Sequence, residues 1–531
     1  MIFDLLLWCA ISFIVYAVYK WYTKKNDYFE KRGISFLKPK PIYSVFNEMF
    51  FNKKSMVDFM NYLYTVNPGH KIVGTFQFGK PMLVLRDPEI IKQMVIKDFD
   101  YFEDHRNLID EKVDTLFGNS LFLLKGAKWR DMRATLSPAF TGSKMRQMFD
   151  LVSECGEQMA HTLMDRAKAT GKVDFEMKEL FSKYANDVIS SAAFGYKINS
   201  FEDPNNEFYL SGKKFLELSS PKTGMKMMII LFLPKLASLL KVTLFDSKTM
   251  NFFRSMVLTN MEARQKEGIF RPDMINILMN VKSGTALTST AEEKTASDGF
   301  ATVEESSIGN KVVKRVWSDD ELVAQCFLFF LAGFDTSSTL LSFVAYELCV
   351  NPDIQERLYQ EVLDTHNSLG GNKLSYDAVQ KMKFMDMFIS ETLRYWPAAP
   401  GTDRVCVKDY RYDDGNFSFT VERGTALSIP FVSLHHDEKY WDNPKKFDPD
   451  RFSDENKDKI VSGTYAPFGY GPRNCIGSRF ALMEAKAVIY YLLLNFKFEP
   501  NENSQIPVQL KKSIITMTSE RGIHVALKLR N

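Results

Sequence analysis

Six cysteines in 531 residues, none close to another, leave nothing for a disulfide framework or a paired-cysteine zinc site. They are Cys9, Cys155, Cys326, Cys349, Cys406 and Cys475, and reduced thiols suit a body that faces the cytosol. An excess of one charge is also missing. Lysine and arginine total 68 against 65 acids, and a net charge of +3 gives no warrant for nucleic-acid binding, which would call for a clustered basic face, so no nucleic-acid partner is expected. There is no internal repeat, and alternating strand patterns are few. Hydrophobic residues make up 45% of the chain and charged ones 25%, a globular composition that excludes disorder for most of it. Length alone suggests about three or four domains.

The clear targeting feature is the amino terminus. Ile2 to Tyr19 (IFDLLLWCAISFIVYAVY) carries one charge, Asp4, and its 18 residues nearly cross a bilayer core at helical rise. A removable signal peptide needs a basic start and a small-x-small cleavage site, and neither is evident. Lys20, Lys24 and Lys25 follow, with Trp21 and Tyr22 at interface depth. Residues 1–22 therefore read as a membrane anchor and everything after them as cytosolic, which in a eukaryotic cell means the endoplasmic reticulum membrane.

Residues 23–44 read as a hinge and 45–531 as the body. Val73 to Leu85 reads as a hairpin around Gly79-Lys80, and Val405 to Leu427 holds further strands. Most of the rest is helical in pattern. The stretch 283–311, rich in Ser, Thr, Ala, Glu and Gly, reads as a flexible internal loop. Trp317 to Val350 is long and mostly apolar, as suits the central helix of one large core. Met225 to Val242 is apolar for a surface segment; it is either buried or dips into a bilayer.

The chemistry concentrates in Phe468 to Gly477, FGYGPRNCIG. Gly469, Gly471 and Gly477 remove side chains on both sides of one cysteine, giving the clearance a large planar ligand needs. The residues after Cys475 form helix readily, so its thiolate lies near a helix amino terminus, where the dipole favours an anion. An inert buried cysteine in a glycine-rich turn is the blander reading, but the spacing F-x-x-G-x-R-x-C-x-G is specific.

This segment resembles the haem-binding signature of the cytochrome P450 family. Glu391-Thr392-Leu393-Arg394 resembles the family's E-x-x-R, and Phe447 to Phe452 its later arginine segment. The resemblance implies that Glu391, Arg394 and Arg451 form a buried ionic triad; read alone, Glu391 and Arg394 are an ordinary i,i+3 surface pair. Ala332-Gly333-Phe334-Asp335-Thr336 resembles the family's acid–threonine pair, implying a proton relay through Asp335 and Thr336, with Gly333 letting the helix open for water. A back-bonding threonine is the alternative. Trp129 and Arg133, at i,i+4, resemble the W-x-x-x-R helix, and with Arg473, Arg404 and His105 they are candidate partners of the haem propionates. Phe468 would exclude water from the Cys475 sulfur, the axial ligand and metal site.

The resemblance covers roughly Lys31 to Asn531 and replaces several domains with one. It implies a mainly α fold with small β-sheets, a large helical domain behind an N-terminal transmembrane helix. The sequence most resembles insect detoxification members of the clan shared with vertebrate drug-metabolising enzymes. One departure is the proline-poor hinge, FLKPKP, with only Pro39 and Pro41. The implied activity is a microsomal haem-thiolate monooxygenase with haem b. It draws NADPH electrons through a cytochrome P450 reductase docked near Lys128, Arg130, Lys445 and Lys446, with cytochrome b5 as a further family partner. The implied pocket is lined by Leu121, Phe327, Phe330, Phe334, Ala399, Ile515 and Thr516, mostly apolar, as suits lipophilic substrates such as xenobiotics, insecticides, plant toxins or terpenoids. Three rivals have discriminators. A haem-thiolate isomerase or dehydratase turns over without NADPH, a haem or lipophile carrier consumes no oxygen, and a structural membrane protein binds no haem.

Overall fold

Ser318 starts the helix Asp319–Val350, the longest among the described residues. Its hydroxyl accepts the Glu321 amide while the Glu321 carboxylate accepts the Ser318 amide, a reciprocal cap. Asp319, Asp320 and Glu321 complement the helix dipole. Among the described residues this is the helix long and apolar enough to cross a membrane, yet 72% of its apolar window is buried in the protein, so it is the core helix. Helices Met177–Ala192, Ser247–Glu267, Lys383–Tyr395 and Ser478–Asn495 pack against it.

The structure is a computed structural model. It describes residues 27–37, 54–77, 80–106, 114–216, 242–283, 315–512 and 517–530, with 9, 12, 13, 16, 19, 20, 109, 226, 229, 230, 234–240, 299–303 and 308. Most of the expected anchor 1–22 and of the loop 283–311, and the pocket positions Ile515 and Thr516, lie outside the described residues.

Three small sheets accompany the helices. The expected hairpin is β1 (Ile72–Gln77) paired antiparallel with β2 (Lys80–Leu85). Of the strands in and around the expected stretch Val405 to Leu427, one ends where it begins, two lie within it and one begins at its end. β4 (Thr402–Val405) and β7 (Ala426–Ile429) join that hairpin in the order β1-β2-β7-β4, and β5 (Tyr410–Asp413) pairs with β6 (Ser418–Val421). β3 (Lys172–Glu176), β8 (Phe496–Glu499) and β9 (His524–Leu529) form the third sheet, which brings the carboxy-terminal strand beside the Gly142–Ala167 helix. The mainly helical architecture with small sheets is as the sequence led us to expect.

Residues 27–37 are docked on the first sheet. Phe29 is fully buried and its ring occupies the space that a side chain at Gly74 would fill. Arg32 pairs with Glu422 and lies over the Tyr28 ring at 3.8 Å. Within the Ser/Thr-rich stretch, Phe300 packs on Phe452 and Tyr465 while its amide donates to the Asp386 carboxylate at 2.8 Å.

Candidate haem-thiolate site

Cys475 lies where a tight turn meets a helix. Pro472, with its fixed φ, shapes a single 3-10 turn over Gly471–Arg473, and the Cys475 amide donates to the Phe468 carbonyl at 2.8 Å. Cys475 itself is exposed. The helix starts at Ser478 rather than at Ile476, one short turn beyond the cysteine, with Gly477 at its cap. The glycines have separate reasons. Gly469 and Gly471 adopt φ of +84° and +67°, and a Cβ at Gly471 would stand 2.2 Å from the Val95 carbonyl oxygen. The clearance at Gly471 therefore serves a neighbouring protein backbone. Gly477 has an ordinary negative φ and no other atom nearer than Phe140 Cε1, 3.8 Å from where its Cβ would be.

Basic side chains gather behind the turn. Arg133, Arg404, Arg473 and His105 are all buried. Arg133 donates to the carbonyl and side-chain oxygens of Asn474, next to the cysteine, at 2.8 and 2.9 Å. Trp129 is buried beneath the Arg473 guanidinium, which sits 4.5 Å from its ring centroid. Arg473 spends its terminal nitrogens on the carbonyls of Glu103, Phe122 and Leu124. His105 is held by Asp403, 3.4 Å away, and stacks on Phe122. Burial pushes Arg473 down to about 9, with the Arg404 charge adding to it, and Arg404 down to about 10. Burial also takes His105 down to about 4, so it is neutral at physiological pH. Asp403 answers His105 and Arg106, and Asp104 lies 3.8 Å from Arg473. The Nε atoms of Arg404 and Arg473 are buried without a hydrogen-bond partner. Buried arginine nitrogens without partners at the rim of a cysteine turn fit a ligand with anionic carboxylates, as the propionates of haem are.

The acid and arginines of the E-x-x-R segment are buried. Arg394 grips Glu391 through two hydrogen bonds of 2.6 and 2.8 Å with both side chains fully enclosed, and Arg451 lies 3.5 Å from the same carboxylate. The Asp448 amide also donates to Glu391. This excludes the surface-pair reading. A histidine then carries the triad toward the cysteine turn. His435, fully buried, accepts the Ala466 amide at Nε2, which leaves Nδ1 to donate to the Arg394 carbonyl at 3.2 Å. Ala466 in turn accepts the amide of Gly469, inside the signature.

On the central helix, Ala332 and Thr336 are accessible although most of their neighbours are buried, and as i and i+4 they share a face. Phe329, one turn earlier, touches Phe140, which approaches Gly477. The strip and the cysteine turn thus lie on one side of the helix. Thr336 Oγ1 donates to the Ala332 carbonyl at 2.7 Å and the helix runs unbroken through Gly333. The missing side chain at Gly333 makes room for Ile189 of the neighbouring helix, whose Cδ1 would stand 2.5 Å from a Cβ, and not for an opening. Asp335 faces the other way, where Lys178 Nζ lies 2.8 Å from its carboxylate and also donates to Ser338 and Thr339. Phe327, Phe330 and Phe334 are fully buried among Phe194, Phe245, Phe253 and Tyr209, an aromatic core. Leu121 is buried and Ala399 accessible.

The cytochrome P450 family pattern matches residues 37–526. This chain belongs to the cytochrome P450 family. A probable cytochrome P450 9f2 of Drosophila melanogaster is 44% identical over 520 residues, covering 97% of each chain. Cytochrome P450 9e2 of Blattella germanica is 43% identical, covering 99% of this chain and 98% of the relative. Cytochrome P450 6k1 of the same insect is 35% identical over 511 residues. The protein is therefore an oxidoreductase of the haem-thiolate monooxygenase class, and its resemblance to insect members holds.

In this cytochrome P450 several residues matter that pattern reading did not find. Lys178 opens an amphipathic helix, Gln325 and Glu484 lie inside apolar helical stretches and His435 is next to another histidine, places where only the fold reveals a partner. The Ser337 hydroxyl donates to Glu484 Oε2 at 2.6 Å while Oε1 has no partner, and burial pushes this carboxyl up to about 8. Among the expected docking cations, Lys128 pairs with Glu321, Arg130 with Asp100 and Glu103, and Lys446 with Asp448.

Proposed function

We propose that this cytochrome P450 inserts one atom of dioxygen into lipophilic small molecules, such as xenobiotics, insecticides, plant toxins or endogenous terpenoids. Electrons come from NADPH through a membrane flavoprotein reductase, with cytochrome b5 as an additional donor. The observation that carries the reading is one juxtaposition: an exposed Cys475, buried arginines with unpartnered nitrogens, and an accessible strip on the central helix.

Bound there, haem supplies dioxygen activation, with thiolate ligation tuning its iron. Cys475 is the sulfur ligand. Arg404, Arg473, Arg133 and His105 hold the propionate edge, with Trp129 closing that side. Apolar surface at Phe329 and Ala332 excludes water above the site and orients a lipophile by shape. Thr336 Oγ1 is the hydroxyl on that face able to pass a proton. Asp335 supplies it after turning from Lys178, so the ion pair sets when the acid is available. The triad of Glu391, Arg394 and Arg451 holds the turn in place through His435. A single amino-terminal anchor keeps the body at the endoplasmic reticulum membrane. The strongly exposed Leu239 and Leu240 support a second apolar contact with the bilayer, beside which lipophiles concentrate.

The test is the reduced, carbon-monoxide-bound absorption spectrum of the protein beside that of Cys475→Ser. A red-shifted Soret band present in the wild type and lost in the variant is expected. A wild type without that band overturns the reading.

A further inference from the structure

Gln325 lies in the central helix on a fully buried face, among Val323, Ala324 and Cys326. A primary amide is costly there unless each polar atom finds a partner. It finds main-chain partners, two of them far away in sequence and one a turn earlier in its own helix. Oε1 accepts the Leu121 amide at 2.8 Å, and Nε2 donates to the carbonyls of Asn119 at 2.9 Å and Glu321 at 2.8 Å. Lys128 adds a second brace, with Nζ 3.0 Å from the Asn119 side-chain oxygen and 2.9 Å from the Glu321 carboxylate.

The other end of the same turn is fixed from the cysteine side. Arg473, two residues before Cys475, donates to the carbonyls of Phe122 at 3.1 Å and Leu124 at 2.6 Å. The turn 119–124 is thus tied to the central helix at one end and to the cysteine turn at the other. Within the turn the Phe122 side chain is 44% exposed and lies on the His105 ring, with centroids 4.8 Å apart. A turn held at both ends by main-chain hydrogen bonds cannot rise to admit a longer ligand without breaking them.

We propose that Gln325 is a positioning residue that determines specificity: by fixing the turn 119–124 over the site, it sets the length of lipophile the enzyme accepts. This rests on the monooxygenase reading above. The ligand class it selects is compact, apolar molecules over extended ones, because the tie resists displacement along the helix and does not contribute a polar contact to the ligand.

The test uses the full-length haem-loaded protein and its Gln325→Met variant, which keeps the side chain's volume and removes its hydrogen bonds. Dissociation constants are read from the spin-state shift for homologous alkoxyresorufins, methoxy to pentoxy, and deuterium exchange is followed in peptides covering residues 119–124. Exchange in the variant is expected to rise by about two- to tenfold, the scale of one lost hydrogen bond, and the methoxy-to-pentoxy preference to fall by a similar factor. The reduced carbon-monoxide band stays in place. Faster exchange with an unchanged preference overturns the proposal, as does unchanged exchange. If Gln325→Met takes up no haem, Lys128→Met removes the other brace in a half-exposed position; the same flattening, smaller in size, is expected and its absence overturns the proposal. A wild type with no thiolate band instead overturns the enzyme reading on which all of this stands, an outcome visible before any ligand is added.

Discussion

Asp335 and Thr336 are adjacent in sequence and turned apart in space. The Asp335 carboxylate is 2.8 Å from Lys178 Nζ, whereas the Thr336 hydroxyl points along the accessible face to the Ala332 carbonyl. Successive residues of a helix differ by about 100° in direction, so one of the pair must leave the strip. Lys178 receives the one that leaves.

Removing that lysine leaves a buried carboxylate alone in an apolar helix. Lys178→Met is expected to lose about 3–5 kcal/mol of stability. Lys178→Met combined with Asp335→Asn is expected to recover part of it, with a coupling of about 1–3 kcal/mol between the two sites. Denaturant unfolding of the four proteins measures this, and strictly additive losses would refute the pairing.

Glu484 makes stability depend on pH. Its carboxyl, normally titrating at 4.5, is held protonated by burial up to about 8, so between those values the folded state binds a proton that the unfolded state has released. Its contribution is full below pH 4.5 and is lost as pH rises toward 8, at most about 1.4 kcal/mol per pH unit. In Glu484→Gln this slope disappears. The melting temperature of the variant relative to wild type should climb steadily across that window; a constant difference would mean that Glu484 is ionised in the fold.

Acid acts through a different residue. Burial holds His435 well below 6.5 and neutral, accepting the Ala466 amide. The unfolded chain takes up a proton there as pH falls through 6.5, so stability drops on that side. His435→Phe leaves the Ala466 amide unpaired, costing about 1–3 kcal/mol and lowering haem content in the purified protein. His435→Gln, which can both donate and accept, should restore most of that content; equal loss in both variants would argue against the hydrogen-bonded role.

Two glycines of the signature separate conformation from contact. Gly469→Ala meets nothing closer than 3.8 Å and carries only the strain of a positive φ, about 1–3 kcal/mol. Gly471→Ala adds a collision with the Val95 carbonyl and should cost clearly more, read as a larger fall in melting temperature. Equal effects would show that the Gln93–Lys97 turn yields freely.

Local sequence determined whatever depends on residues close together in the chain. The cysteine among its glycines, the E-x-x-R pair, the β1–β2 hairpin and the long apolar helix are all periodicities or spacings, and each is found in place. Tertiary structure decided the rest, because burial and partners come from distant segments. It turned Glu391–Arg394 from a surface pair into an enclosed one by bringing Arg451 and Asp448 against it. It spent Arg473 on the carbonyls of Phe122 and Leu124, gave Asp335 to Lys178, placed Phe327, Phe330 and Phe334 in the core, and set Gln325 against the Leu121 amide. A side chain's type states what it can bond. Only the packing of the helices states what is within reach and whether water competes for it.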